Sequence, residues 1–189
     1  MAMLGNTLTL IAGEKAGIIK RGVPCVVGPQ ADEAMEVIEA QAARLGAPLL
    51  AYGQHWHVSE ERGRLVYQDE TGLLDLDLPN LPGQHQIQNA GAALAALRHL
   101  NMPEASFDGA VQSAYWPARM QHLKGTPLND LAPKADLWLD GGHNPAAGEA
   151  LALHLRSLPT RPTYMICGML NTKDVRGYLR PLAGVADHL

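Results

Sequence analysis

The sequence predicts an α/β fold in two parts, on three observations. Two short apolar runs, residues 24–28 and 48–52, flank a stretch with helical spacing. Strand, helix and strand within about thirty residues make a βαβ unit with a parallel pair and a right-handed crossover. Alternating apolar and polar residues then interrupt the helical texture, and a second strand-then-helix series begins near residue 137.

Residues 9–17 carry the run LIAGEKAG. Asp32 opens the first clear helix, with Met35, Ile38, Ala42 and Leu45 on one face and Gly46 as its C′ residue. Residues 56–67 and 73–78 alternate, with turn formers Asp69 and Gly72 between them, and predict a small antiparallel hairpin. Residues 89–100 are Ala/Leu-rich and predict a helix whose small side chains allow close packing. A second helix is expected over 108–115. Pro117 and residues 125–133 read as connections. Residues 137–139 and 163–167 read as strands, and 145–158 as a helix with Pro145 near its first turn. A final helix starts at 173. The domain boundary falls near 114–118, giving parts 1–115 and 116–189. The second sheet is then only two strands old, too few for an independent α/β domain, so a truncated chain is expected.

A length of 189 residues suits one domain, or one and part of another, at roughly 150 residues each. Apolar residues are 47% and charged residues 18%, which supplies a core and excludes disorder. No run approaches the ~20 apolar residues of a membrane span, and the first residues lack the pattern of a secretory signal. The net charge of −4 argues against a general nucleic-acid surface. Cys25 and Cys167 are too far apart for a metal knuckle or a redox pair. A reduced cytosolic chain with two partly buried thiols is the simpler reading. Aromatics are 5%, with Phe107 the single Phe, so Leu, Ala, Val and Ile must build the core.

The sequence has no phosphate-binding G-x-x-x-x-G-K-[ST], no G-x-G-x-x-G, no H-E-x-x-H and no G-x-S-x-G. His55 and His57 read as surface histidines. Asp140-Gly141-Gly142-His143-Asn144-Pro145 is the most informative local feature. It lies between a strand and a helix, where open α/β sheets bind ligands. Its carboxylate, imidazole and free helix-start N–H groups suit an anion, yet Asp140 and Asn144 also suit a plain turn and cap. Lys15 and Lys20 contact phosphates or merely flank a helix end. Asn89, in GQHQIQN at 83–89, caps a helix or reads a base edge. Arg119, in WPARM at 116–120, binds a phosphate or makes an interdomain salt bridge.

Taken in order, these strings resemble one family. They are LG-x-TL-x-x-IA-x-EKAGIIK at 4–20, G-x-HQ-x-x-NA-x-AALAAL at 83–97, WP-x-R at 116–119, LDG-x-HNP at 139–145 and GML-x-x-KD at 168–174. The chain resembles bacterial folylpolyglutamate synthase/dihydrofolate synthase, of the Mur-ligase superfamily. EKAGIIK and DG-x-HNP are the specific strings.

The resemblance implies the C-terminal part of a Mur-ligase-type ATPase domain, then the start of a Rossmann-like parallel α/β domain. It implies a cytoplasmic ADP-forming ligase, monomeric as the full-length parent, with no nucleic-acid or membrane partner. ATP would phosphorylate a carboxylate of dihydropteroate or a folate, and L-glutamate would attack the acyl phosphate. Lys15 matches a carbamylated lysine that supports Mg²⁺. Asn89 and Arg119 match ATP-binding positions. Asp140 and His143 match residues facing the active cleft, Asp140 near the nucleotide as well. Lys173 and Asp174 match a recurrent pair of open role. Gly142 stands for the usual Ala, and Ala118 for the usual Gly, both small for small. The family's P-loop and upstream Mg²⁺ positions are not in the sequence, so an internal fragment, inactive alone, is expected. The alternatives are a non-catalytic binding module and a Mur-type peptidoglycan ligase.

Overall fold

The computed structural model describes residues 7–189. These divide into two compact units, which exchange chain at 79–80, 86–87 and 112–113. The first holds residues up to Pro79 and Ile87–Gln112; the second holds Asn80–Gln86 and Ser113–Leu189.

The first unit begins with helix α1 (Leu8–Ala16). Thr7 caps it by accepting from Leu10 N. Strand β1 (Cys25–Val27), helix α2 (Asp32–Leu45) and strand β2 (Leu49–Ala51) follow. β1 and β2 pair in parallel, Val26 opposite Leu50, so the βαβ unit forms as predicted. Gly46 ends α2 in the left-handed conformation at φ 59°, where a side chain would clash with the next carbonyl. Ala16, Ile19, Ala42 and Ala47 form a small core between α1 and α2.

The predicted hairpin is a three-stranded antiparallel meander: β3 (Trp56–Glu61), β4 (Arg64–Asp69) and β5 (Gly72–Asp77). The turn overlooked in the sequence is Arg62-Gly63, both at positive φ, which matches the twist of the strands. Alternation puts Trp56, Val58, Leu65, Tyr67, Leu74 and Leu76 on one buried face. Helix α3 (Gln84–His99) and helix α4 (Phe107–Ser113) add Ile87, Leu94, Ala95, Phe107 and Val111 to this core. Gly91 brings α3 close to the sheet: a Cβ there would lie 2.5 Å from Val58 Cγ1 and 2.7 Å from the Trp56 ring.

Arg98 closes the far end of this core, with only 8% of its side chain exposed. It pairs with Asp69 and Glu104, donates to the Gly72 carbonyl, and lies over the Tyr67 ring. Burial alone would raise the Asp69 pKa. Donors from Thr71 and Tyr67, together with the Arg98 charge, outweigh it and hold Asp69 below the ordinary carboxylate value.

The second unit contains β6 (Gln121–Leu123), helix α5 (Pro127–Leu131), β7 (Leu137–Leu139), helix α6 (Pro145–Ser157) and helix α7 (Val175–Leu179). β6 and β7 are antiparallel, His122 opposite Trp138. The predicted connection at 125–133 holds a short helix, started by a reciprocal Thr126–Asn129 capping box. The run 163–167 forms a single bridge, Tyr164 to His188, rather than a strand. Tyr164 and Ile166 leave one face of the run exposed, while Met165 on the other face packs against the core of this unit. The final helix is shorter than predicted, because Pro181 follows and a 3-10 turn over Arg180–Leu182 replaces its end. Of the two thiols, Cys25 is half-buried but Cys167 is exposed.

The core of this unit is small: Met120, Leu151, Ala152, Tyr178 and Leu182. Close backbone approach supplements it. A Cβ on Gly148 of α6 would lie 2.2 Å from the Tyr178 carbonyl oxygen. One on Gly177 would lie 2.3 Å from Asp174 Oδ2, the carboxylate that caps α7.

Candidate functional site

The residues singled out in the sequence fall into both units. Lys15 and Asn89 belong to the first; Arg119, Asp140 and His143 belong to the second.

Lys15 sits in the last turn of α1 and is exposed, where a cation complements the helix dipole. Asn89 is not an N-cap. α3 starts five residues earlier, at Gln84, so Asn89 is an exposed residue of its second turn. Gly83, at φ 111°, lets the chain enter the helix there. His57 is exposed on β3, and His55 is exposed with its Nδ1 accepting from Ala51 N.

The second unit builds a tighter arrangement. The WPARM segment makes a turn in which Ala118 (φ 54°) and Met120 (φ 43°) are both left-handed. Arg119 lies between them, exposed and without an ion pair among the described residues. An Ala in that conformation is strained where Gly is not, so the replacement at 118 is not the neutral exchange its size suggests. The Ala118 carbonyl accepts from Gly141 N at 2.8 Å. Ala118 N donates to Gln121 Oε1 at 3.0 Å, and Gln121 in turn donates to the Tyr115 hydroxyl.

Asp140 ends β7 and is half-buried. Its Oδ2 accepts from Met120 N at 2.9 Å, and its Oδ1 from Gly142 N at 2.7 Å. Gly142 has no room for a side chain. A Cβ would lie 2.8 Å from Asp140 Oδ1, 3.0 Å from Ala147 Cβ and 3.4 Å from the Tyr178 ring. Small-for-small is therefore the wrong description of this position as well. Tyr178 is buried beneath the loop. Desolvation, then the charges of Asp140 and Cys167, push its pKa up.

His143 is exposed, and its Nδ1 lies 3.0 Å from the Gly141 carbonyl. A carbonyl only accepts, so Nδ1 carries a proton in this contact. Asn144 caps α6 by accepting from Ala147 N, with Pro145 following at the first helical position.

His85 was missed in the sequence although it lies in the quoted 83–89 string. Its ring packs on the bare face of Gly83, where a Cβ would come within 2.8 Å of Cε1. Its Nε2 lies 3.0 Å from Gln86 Nε2. Desolvation pulls its pKa down; Asp140 opposes this, and Arg119 and His154 reinforce it. Tyr178 was missed too, because no local pattern marks a residue that acts from below a loop.

Among the described residues, no three His, Cys, Asp or Glu side chains converge to hold a metal. No described helix is long and apolar enough to cross a membrane.

No protein-family model matches the chain. Curated relatives do. A folylpolyglutamate synthase of Lacticaseibacillus casei is 31% identical over 184 residues, covering 91% of this chain and 41% of the relative. A dihydrofolate synthase/folylpolyglutamate synthase of Bacillus subtilis is 34% identical over 164 residues, covering 80% and 36%. Among solved structures, E. coli FolC in complex with DHPP and ADP superimposes with a TM-score of 0.84 at 33% identity. That match covers 98% of this chain and 42% of FolC. The chain spans less than half the length of each of these proteins. The motif strings, the fold and these likenesses agree: the chain belongs to the folylpolyglutamate synthase/dihydrofolate synthase family.

Proposed function

We propose that this chain carries part of an ATP-dependent amide ligase that joins L-glutamate to dihydropteroate or a folate. Residues 1–115 would belong to its ATP-binding domain and 116–189 to its glutamate-ligating domain. The observation that carries the proposal is Arg119, which has no ion pair among the described residues and lies in a turn bonded to the 140–142 loop. An exposed arginine with no ion pair among the described residues suits a phosphate, and a structure of a family relative was solved with ADP.

In this reading ATP phosphorylates the substrate carboxylate, releasing ADP. The glutamate amine attacks the acyl phosphate, forming the amide and releasing phosphate. The chemistry leaves the protein mainly to position reactants and neutralise charge. Arg119 would meet phosphate charge, and Asn89 and Asp140 would take part in holding the nucleotide. His143, with Nδ1 turned to the Gly141 carbonyl, would use Nε2 to take a proton from the incoming ammonium. Lys15, if carbamylated, would exchange a cation for an anionic oxygen ligand. It would be one contribution to Mg²⁺, since the described residues do not make a complete metal site.

The test is a calorimetric titration of the chain with ADP. Saturable binding, weakened about tenfold or more by Arg119→Ala, is the expected result for one lost charged contact. Equal affinity in the variant would remove Arg119 from the site.

A further inference from the structure

Asp140 is matched by the family resemblance to the nucleotide, yet its carboxylate already has other work. Each oxygen accepts a backbone N–H: Oδ2 from Met120 at 2.9 Å, Oδ1 from Gly142 at 2.7 Å. The Met120 bond joins the 118–120 turn to the 140–142 loop, and Gly141 N joins them a second time by donating to the Ala118 carbonyl at 2.8 Å. Two hydrogen bonds therefore tie the residues flanking Arg119 to the 140–142 loop, and the Gly142 amide fixes the Asp140 carboxylate within that loop.

The backbone explains why such a clamp is needed. Ala118 and Met120 are left-handed on either side of Arg119, and neither is Gly. Met120 is also a core residue, so its side chain cannot move to relieve the strain. Paired outliers of this kind persist only when the surroundings over-determine them. Gly142 is part of the device, because a Cβ at that position would displace Oδ1 from its bond.

We infer that Asp140 is a positioning residue for Arg119. Its carboxylate holds the strained 118–120 turn through the Met120 and Gly142 amides, and Arg119 carries the effect to the ligand. This rests on the reading that Arg119 meets a nucleotide phosphate. Asn at 140 keeps the size but offers one acceptor and one donor, so one of the two N–H groups must lose its partner.

Two measurements on the 189-residue chain test it. Amide hydrogen exchange followed by NMR addresses the clamp without any ligand. Asp140→Asn should lower protection of the Met120 or Gly142 amide about tenfold or more while the strands β3 to β5 keep theirs. Adding Ala118→Gly, which adopts the left-handed conformation freely, should restore part of the Met120 protection. Unchanged protection in Asp140→Asn would overturn the inference.

ADP affinity supplies the second readout, in a cycle of Asp140→Asn, Arg119→Ala and the double variant. If Asp140 acts through Arg119, the double variant binds ADP no more weakly than Arg119→Ala alone. Losses that multiply would show that Asp140 touches the nucleotide independently, and would overturn the positioning role. If the unaltered chain binds no ADP, the nucleotide reading fails, and with it the role toward a ligand; the exchange data still decide whether the clamp exists.

Discussion

The two units reach stability by different means. The first buries large side chains: Trp56, Leu65, Tyr67, Leu94 and Phe107 are essentially inaccessible. The second buries few, and instead packs glycine against backbone and spends carboxylates on N–H groups. Apolar burial is non-directional and forgives small shifts, whereas hydrogen bonds and backbone contacts fix atoms within a few tenths of an ångström. Arg119, Asp140 and His143 all belong to the second kind of structure. Under the proposed function, a region that presents a cation and an imidazole at set positions gains more from fixed geometry than from apolar mass.

The contrast can be broken most directly at Trp56. Trp56→Ala should cost about 4 kcal/mol, the scale for truncating a buried aromatic, measured by urea unfolding followed by circular dichroism. Leu151→Ala in the second unit should cost about half as much. The reverse order would show that the small core is the main support.

Arg98→Met tests the ionic closure of the first core. It leaves Asp69 with a buried, uncompensated charge and should cost about 3 kcal/mol in the same measurement. Gly148→Ala tests the backbone packing of the second unit. Its methyl meets the Tyr178 carbonyl, which cannot swing aside, and about 2 kcal/mol should be lost.

Acid should separate the units. Desolvation depresses the pKa of His85 and of His154, while Asp140 opposes it at both. For each, the unfolded chain binds more protons between the folded value and about 6.5, so their contribution is full above about pH 6.5 and fades as pH falls below it. Asp69 is depressed as well, but from the carboxylate range, so its contribution is lost only as pH falls below about 4. Amide exchange at pH 7, 5 and 3.5 should show the second unit loosening first. Simultaneous loosening would cancel the distinction.

The smallest effect is a gain. Gly109 of α4 has open space around the site of a Cβ, so Gly109→Ala should add about 0.5 kcal/mol of stability, read from the urea midpoint.

Legibility in the sequence followed the same division. The βαβ unit was readable because Met35, Ile38 and Ala42 repeat at the helical period between bounded apolar runs. The Asn144 cap and Pro145 were readable because their chemistry is local. The third strand of the meander was not, because Arg62-Gly63 is a weak turn signal inside a continuous alternation. The cap reading of Asn89, one of two the sequence left open, fails because the Ala-rich pattern begins there while the helix itself starts in the polar turn 84–88. The strain at Ala118 and Met120 was invisible, since φ is set by partners 20 residues away, such as Asp140.

The contact between Gly142 and Asp140 Oδ1 also restricts how this sequence can change. A side chain at 142 needs the carboxylate moved first, and a moved carboxylate releases the turn that carries Arg119. Neither substitution is neutral alone, so a lineage could exchange these positions only together, or in an order that first relaxes residue 118 to glycine. Residue 118, far from 140 and 142 in sequence, would then be coupled to both.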